Sequence, residues 1–246
     1  MIGNDLPSND NAALADNLAL QIPREPKPTV LVSARSFYEP SVAPETVSFG
    51  FSATAMHWLS ASPGPLNNHT HVLASDDSEA IDRFRAQAMA DWNRILELRS
   101  QELTVGGRLL TVNLSRDDAG LYLGHNGGET RNVHDQLHEI WRGMADEGVI
   151  SEEQYRNGTV NNFYKSPEEF MAPLKDPDSP AYRHGLRLVD VGAGCGDPVR
   201  GSRDPVDPSF FQCDGDLSCV VACRWRRTRV SKPAGSTPGP FSTGDG

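Results

Sequence analysis

The apolar positions follow two rhythms, and their alternation is the first structural signal. Met1–Leu6 reads as the end of a strand running into a turn, and Asn9 or Asp10 then caps a helix with Leu14 and Leu18 on one face. Thr29–Ser33 (TVLVS) reads as a buried strand, and so does Thr46–Ser52 (TVSFGFS), with Val47, Phe49 and Phe51 on one side. The clearest helix covers residues 76–103. Ile81, Phe84, Ala88, Trp92, Ile95 and Leu96 recur there at helical spacing, Asp76 or Asp77 can cap it, and Gly106-Gly107 stops it. Arg108–Leu114 (RLLTVNL) follows as a strand. Strands alternating with helices predict an α/β fold with a mostly parallel sheet covered on both faces.

The rhythm then changes. Val133, Leu137, Ile140, Trp141 and Met144 define a helix ending at Gly148. Ser151 with Gln154 forms a capping box, and Ser166, Pro167 and Glu169 mark another helix start. Helices without an intervening strand predict a helical cap over residues 115–180, inserted after a core covering residues 1–114. Leu186–Val191 (LRLVDV) returns to strand, so residues 181–191 rejoin the core. From residue 192 to 246 Gly and Pro are dense, Glu and Ile are absent, and no periodicity persists. This tail is expected to be mostly disordered, or to be an aberrant peptide read out of frame.

Composition changes the picture in three places. The formal net charge of −10 makes phosphate backbones and anionic membranes poor partners. All four cysteines, Cys195, Cys213, Cys219 and Cys223, lie in the last quarter, so no disulfide framework is indicated for the body of the chain. No run of about 18 apolar residues is present, and the N-terminus lacks the basic and apolar regions of a secretory signal. A cytoplasmic protein is expected.

Several segments then stand in a recognisable order. Asn4–Asp10 (NDLPSND), Ser36-Phe37-Tyr38, Ser52–Ser60 (SATAMHWLS), Leu98–Thr111 (LRSQELTVGGRLLT) and Met144–Glu153 (MADEGVISEE) resemble, in register, motifs of the SABATH family of S-adenosylmethionine-dependent carboxyl methyltransferases, the salicylate, jasmonate and theobromine type. The resemblance covers roughly residues 3–190. It implies a doubly wound, Rossmann-like methyltransferase sheet with a helical cap. It also implies transfer of a methyl from S-adenosylmethionine to the carboxylate of a small acid, and a possible homodimer. The family's glycine-rich cofactor loop precedes NDLP, so the chain reads as N-terminally truncated and its sheet as incomplete. A different class of outcome is then a catalytically inactive remnant that acts at most as a binding or dimerising protein.

The residues carry the implied roles in physical terms. Asp5 ends a strand where open α/β sheets bind ligands, and a carboxylate there can accept both ribose hydroxyls; Leu6 can pack on the adenine. Asp5 can equally cap the following turn. Ser36 and Phe37 follow the TVLVS strand, and an aromatic face stabilises a sulfonium by about 0.5–2 kcal/mol. His57 and Trp58 offer ring N–H donors that can grip a carboxylate, and the family places the acid against this Trp. A carboxylate is ionised at neutral pH and needs no general base. Methyl transfer then reduces to alignment and exclusion of water, so no catalytic triad is expected.

Other motifs compete. Asp190–Gly196 (DVGAGCG) resembles a general cofactor loop, but the prolines that follow forbid the helix such a loop needs. His134 and His138 in HDQLH have the i, i+4 spacing of a zinc pair but lack a third ligand, and read as a solvated flank of the cap helix. His69-Thr70-His71 reads as a surface loop. VNNFY at 160–164 matches the family's magnesium region poorly, and no metal is expected.

Overall fold

A computed structural model describes residues 1–21, 27–117, 120–122, 132–195 and 217–225. The first unit is β1 (Ile2–Asp5), α1 (Asn11–Gln21) and β2 (Leu31–Ala34), with β1 and β2 parallel and Asp5 opposite Ala34. The Asp10 carboxylate accepts from the Ala13 N–H at 2.9 Å and starts α1. The Leu14 and Leu18 face of α1 lies on β1 so closely that a side chain at Gly3 would meet Leu18 at 2.7 Å.

The second unit holds most of the core. Strand β3 (Val47–Ala53) is joined to β4 (Leu103–Leu114) by α2 (Ser78–Glu102), and the two strands are parallel. A 25-residue helix spans roughly 37 Å at 1.5 Å per residue, ample for the crossover that parallel pairing demands. Asp77 caps α2 by accepting from Ala80. Phe84, Ala88, Trp92, Ile95 and Leu96 are buried as their spacing predicts. Helix α2 divides its apolar face between two clusters. One is built on Trp92, Ile95 and Leu96 with Phe170, Leu174 and Leu186; the other on Phe84 and Ala88 with Leu59, Leu66, Val72 and Phe163. Each large side chain so buried contributes roughly 2–3 kcal/mol.

The glycine pair acts differently from expectation. Helix α2 has already ended at Glu102, and Gly106-Gly107 lies inside β4. Gly106 has φ +82°, and a Cβ at Gly107 would stand 2.9 Å from the carbonyl oxygens of Thr104 and Val47. The pair forms a bulge that shifts the register with β3 between Val47 and Phe49.

Helices α3 (Val133–Asp146) and α4 (Glu152–Arg156) pack on each other, whereas α5 (Pro167–Lys175) and α6 (Pro180–Arg183) pack on α2 and on β5 (Leu186–Cys195). The Trp92 indole N–H donates to the Phe170 carbonyl at 2.9 Å, and the two rings meet edge to face. The capping boxes at Ser151–Gln154 and Ser166–Glu169 are both formed.

Two expectations fail in this part of the molecule. Leu217–Trp225, expected to lack regular structure with the rest of 192–246, forms strand β6, which inserts antiparallel between β4 and β5. The rest of that tail, residues 196–216 and 226–246, lies outside the described residues. Phe49 and Phe51, expected on a buried strand, are 59% and 61% exposed. No described element covers their face of β3.

The strands thus form one pair, β1–β2, and one four-stranded sheet in the order β3-β4-β6-β5. The doubly wound order 3-2-1-4-5-6 joins its strands in a single sheet. The described residues supply an incomplete version of that sheet.

Candidate functional site

The site begins where the parallel strands end, since ligands in open α/β sheets sit outside the carboxyl ends of strands. Asp5 is the last residue of β1. One of its oxygens accepts from the Leu6 N–H at 2.8 Å and from the Asn9 amide at 2.7 Å, so the turn-capping role is real. The other oxygen has no partner among the described residues. Leu6 is exposed beside it. Asn4 has a role that its motif does not announce. Its amide donates to the Ser33 and Arg35 carbonyls, both at 2.9 Å, and ties the two strand ends together.

Ser36 and Phe37 follow β2 directly. The Ser36 hydroxyl accepts from the Tyr38 N–H at 3.3 Å, and the Phe37 ring packs against Tyr38 with centroids 4.5 Å apart. The Tyr38 hydroxyl donates to the Trp58 carbonyl. That bond joins the β1–β2 ends to the loop carrying His57 and Trp58. Burial, followed by the nearby Asp91 carboxylate, raises the Tyr38 phenol above its ordinary value, so it remains a donor.

The loop after β3 leaves the strand through Thr54, whose φ of +50° is a left-handed conformation that a β-branched residue adopts only under constraint. Its N–H donates to the Val112 carbonyl at 2.8 Å, which supplies that constraint. Residues 56–60 are then held from several sides. The Phe163 N–H donates to the His57 carbonyl at 2.9 Å, and the Leu59 N–H donates to the Asn161 carbonyl at 3.0 Å. Asp91 accepts from the Ser60 N–H at 2.9 Å and from its hydroxyl at 2.6 Å. The Lys165 ammonium donates to the Met56 carbonyl at 3.1 Å.

Within this clamp the two candidate acid-binding residues differ in setting. His57 is buried, and its Nδ1 has no hydrogen-bond partner among the described residues. Burial first, then the charge of Lys165, lowers its pKa to about 4, so the ring is neutral at pH 7. Trp58 is 50% exposed, and its indole N–H likewise has no partner among the described residues. The rings lie 5.3 Å apart.

Behind His57 stands a cluster that sequence reasoning missed. His71 stacks on His134 with centroids 3.8 Å apart, and His69 stacks on His138 at 4.2 Å. His71 Nδ1 accepts from the Leu73 N–H, and Nε2 meets the Asn162 amide oxygen at 2.7 Å. His134 Nε2 lies 3.0 Å from the Tyr164 hydroxyl. His134 is therefore no solvated flank, and Thr70 and His71 are no surface loop; all three are buried. Five of the seven histidines gather between α3 and the core. The i, i+4 pair in HDQLH was the visible signal. Its partners from His69-Thr70-His71 were not predictable from spacing. No group of three metal-ligating side chains stands in position to hold an ion among the described residues.

The competing glycine motif is also placed. Asp190 to Cys195 are part of strand β5, so no loop forms before Gly196, which lies outside the described residues. No helix among the described residues is long and apolar enough to cross a membrane.

Residues 1–179 match the family model described as SAM dependent carboxyl methyltransferase. Gibberellic acid methyltransferase 2 of Arabidopsis thaliana is 26% identical over 183 residues, covering 69% of this chain and 47% of that protein. Methyltransferase FUS9 of Gibberella fujikuroi is 37% identical over 148 residues, covering 58% of this chain and 39% of its own length. The chain thus spans about half the length, or less, of these curated relatives. Among solved structures, loganic acid methyltransferase with SAH aligns over 94% of this chain and 75% of its own, at 16% identity and a TM-score of 0.67, which establishes the fold. Sequence motifs, strand-end geometry and the family match over residues 1–179 converge, and the chain belongs to the SAM-dependent carboxyl methyltransferase family.

Proposed function

We propose that this chain provides the acid-binding side and part of the cofactor side of a methyltransferase that esterifies the carboxylate of a small molecule. The observation that carries the reading is the His57–Trp58 pair. The indole of half-exposed Trp58 and the imidazole of buried His57 stand side by side, and neither the indole N–H nor His57 Nδ1 has a partner among the described residues. A buried polar atom without a partner costs about 1–3 kcal/mol, and a substrate oxygen would remove that cost.

The residues present fit S-adenosylmethionine. Asp5 would accept the ribose hydroxyls through its unused oxygen, Leu6 would cover one face of the adenine, and Ser36 and Phe37 would line the neighbouring strand end. The cofactor, when bound, supplies a methyl group already activated by the positive sulfur. The chain's own work is geometric. Trp58 and His57 orient the carboxylate, Tyr38 and Asp91 keep their loop fixed, and the neutral state of His57 lets it donate without adding a charge. The ionised carboxylate needs no base, so alignment supplies the rate. Relatives named for benzoic and salicylic acids, such as the Petunia hybrida carboxyl methyltransferases, support small carboxylic acids as substrates.

Calorimetric titration with S-adenosylmethionine, then with benzoate, tests the reading. Saturable binding of both is expected, with Trp58→Ala weakening benzoate at least tenfold and leaving the cofactor unaffected. Unchanged benzoate binding in Trp58→Ala would remove Trp58 from the site.

A further inference from the structure

Lys165 is 1% exposed, one of the most completely buried side chains among the described residues. A buried lysine is expensive unless its charge has a use. Its ammonium makes one hydrogen bond among the described residues, to the Met56 carbonyl, immediately before His57. Two of the three ammonium protons remain uncommitted to any described atom. The Phe170 ring lies 5.3 Å from Nζ and offers a cation–π contact beneath it.

The surrounding charges set the balance. Glu169 is engaged by Arg116 at 2.8 Å and Arg85 at 3.2 Å, and Asp91 is engaged by Ser60 and Gln87. Neither carboxylate forms a contact ion pair with Lys165. Burial brings the amine down to about 8, offset in part by Asp91 and Glu169, so it remains mostly charged at pH 7. Its charge is felt at His57, where it helps to keep the imidazole neutral.

We propose that Lys165 is a positioning and specificity-determining residue: its buried ammonium anchors the Met56 carbonyl beneath the His57–Trp58 loop and makes that loop prefer an anionic oxygen to a neutral one. The proposal rests on the acid-binding reading of His57 and Trp58. It assigns to one residue a charge that the two ring donors lack. A neutral indole and a neutral imidazole favour a carboxylate over an amide oxygen only through the greater strength of a hydrogen bond to an anion. A desolvated cation beneath them does not treat the two alike.

The test compares benzoate with benzamide, a neutral probe of the same shape, on the full chain and on Lys165→Met and Lys165→Gln. Methionine keeps the volume without charge or donor, and glutamine keeps a donor without charge. The wild-type chain is expected to bind benzoate at least tenfold more tightly than benzamide. Both variants are expected to lose that preference through weaker benzoate binding, with benzamide held constant by Lys165→Gln. Equal weakening of both probes would reduce Lys165 to a structural support and overturn the proposal, as would unchanged selectivity. A ligand-free measurement separates the two readings. Trp58 emission, taken as the difference from Trp58→Phe, is quenched with iodide and with caesium. The iodide-to-caesium ratio should fall at least twofold in Lys165→Met. If benzoate fails to bind the wild-type chain, the acid-binding reading falls, and an unchanged ratio overturns the role of Lys165 independently.

Discussion

Lowering the pH from 7.5 to 5 should destabilise this protein through its buried histidines. The perturbation acts on the cluster between α3 and the core. His57 and His134 each have pKa values lowered from 6.5 to about 4, chiefly by burial, and His71, His69 and His138 shift in the same direction. These groups are neutral when folded and take up protons when unfolded. The unfolded state therefore binds more protons between about pH 4 and 6.5, and stability rises with pH across that window. It is fully present above 6.5 and is lost as pH falls toward 4. For one such group the full shift is worth ~3 kcal/mol at about 1.4 kcal/mol per unit, with roughly 2 kcal/mol already lost at pH 5. His134 and His69 oppose each other's protonation, and so do His134 and His71, so the individual losses do not simply add. A total near 4 kcal/mol at pH 5 is a large share of the 5–15 kcal/mol of a typical domain. Urea unfolding at pH 7.5, 6.5, 5.5 and 5.0 measures it. In His134→Phe, which keeps a ring against His71, the slope should fall by about one proton per molecule. A free energy flat from pH 7.5 to 5 would refute the burial of the cluster.

Two smaller perturbations follow from the backbone and from packing. Thr54→Gly should raise stability by about 1 kcal/mol, because glycine adopts the left-handed conformation without the Cβ penalty, and a melting temperature that stays level or falls would show Thr54 to be unstrained. Gly158→Ala should destabilise by about 2 kcal/mol, since the new Cβ would stand 2.2 Å from the Trp141 indole nitrogen, and chemical denaturation with Trp141 fluorescence reads the displacement directly.

Local features were legible in the sequence. Asp77 and the Ser151 and Ser166 boxes act over three residues, and the α2 stripe needs only its own periodicity. Strand ends were legible too, Asp5 closing β1 and Ser36 lying just past β2, whereas the roles expected of these residues came from the family resemblance. The link from Ser36-Phe37-Tyr38 to Trp58 was not visible, because it runs through one hydroxyl across 20 residues.

What only the tertiary structure decided depends on residues far apart in the chain. His71 and Asn162 are 91 residues apart and meet at 2.7 Å, and Lys165 reaches Met56 across 109 residues. Taken alone, each reads as an ordinary polar residue; burial gives it a role, and burial is a property of the packed chain. Strand β6 makes the same point. Its residues carry too few local signals to declare a strand, yet the open ladders of β4 and β5 accept them. The sequence by itself determined most of the helices and the parallel strands, several of their caps and the family motifs, since those rest on contacts within a turn or two. The fold alone decided which polar side chains leave water, because desolvation depends on neighbours that no local pattern specifies.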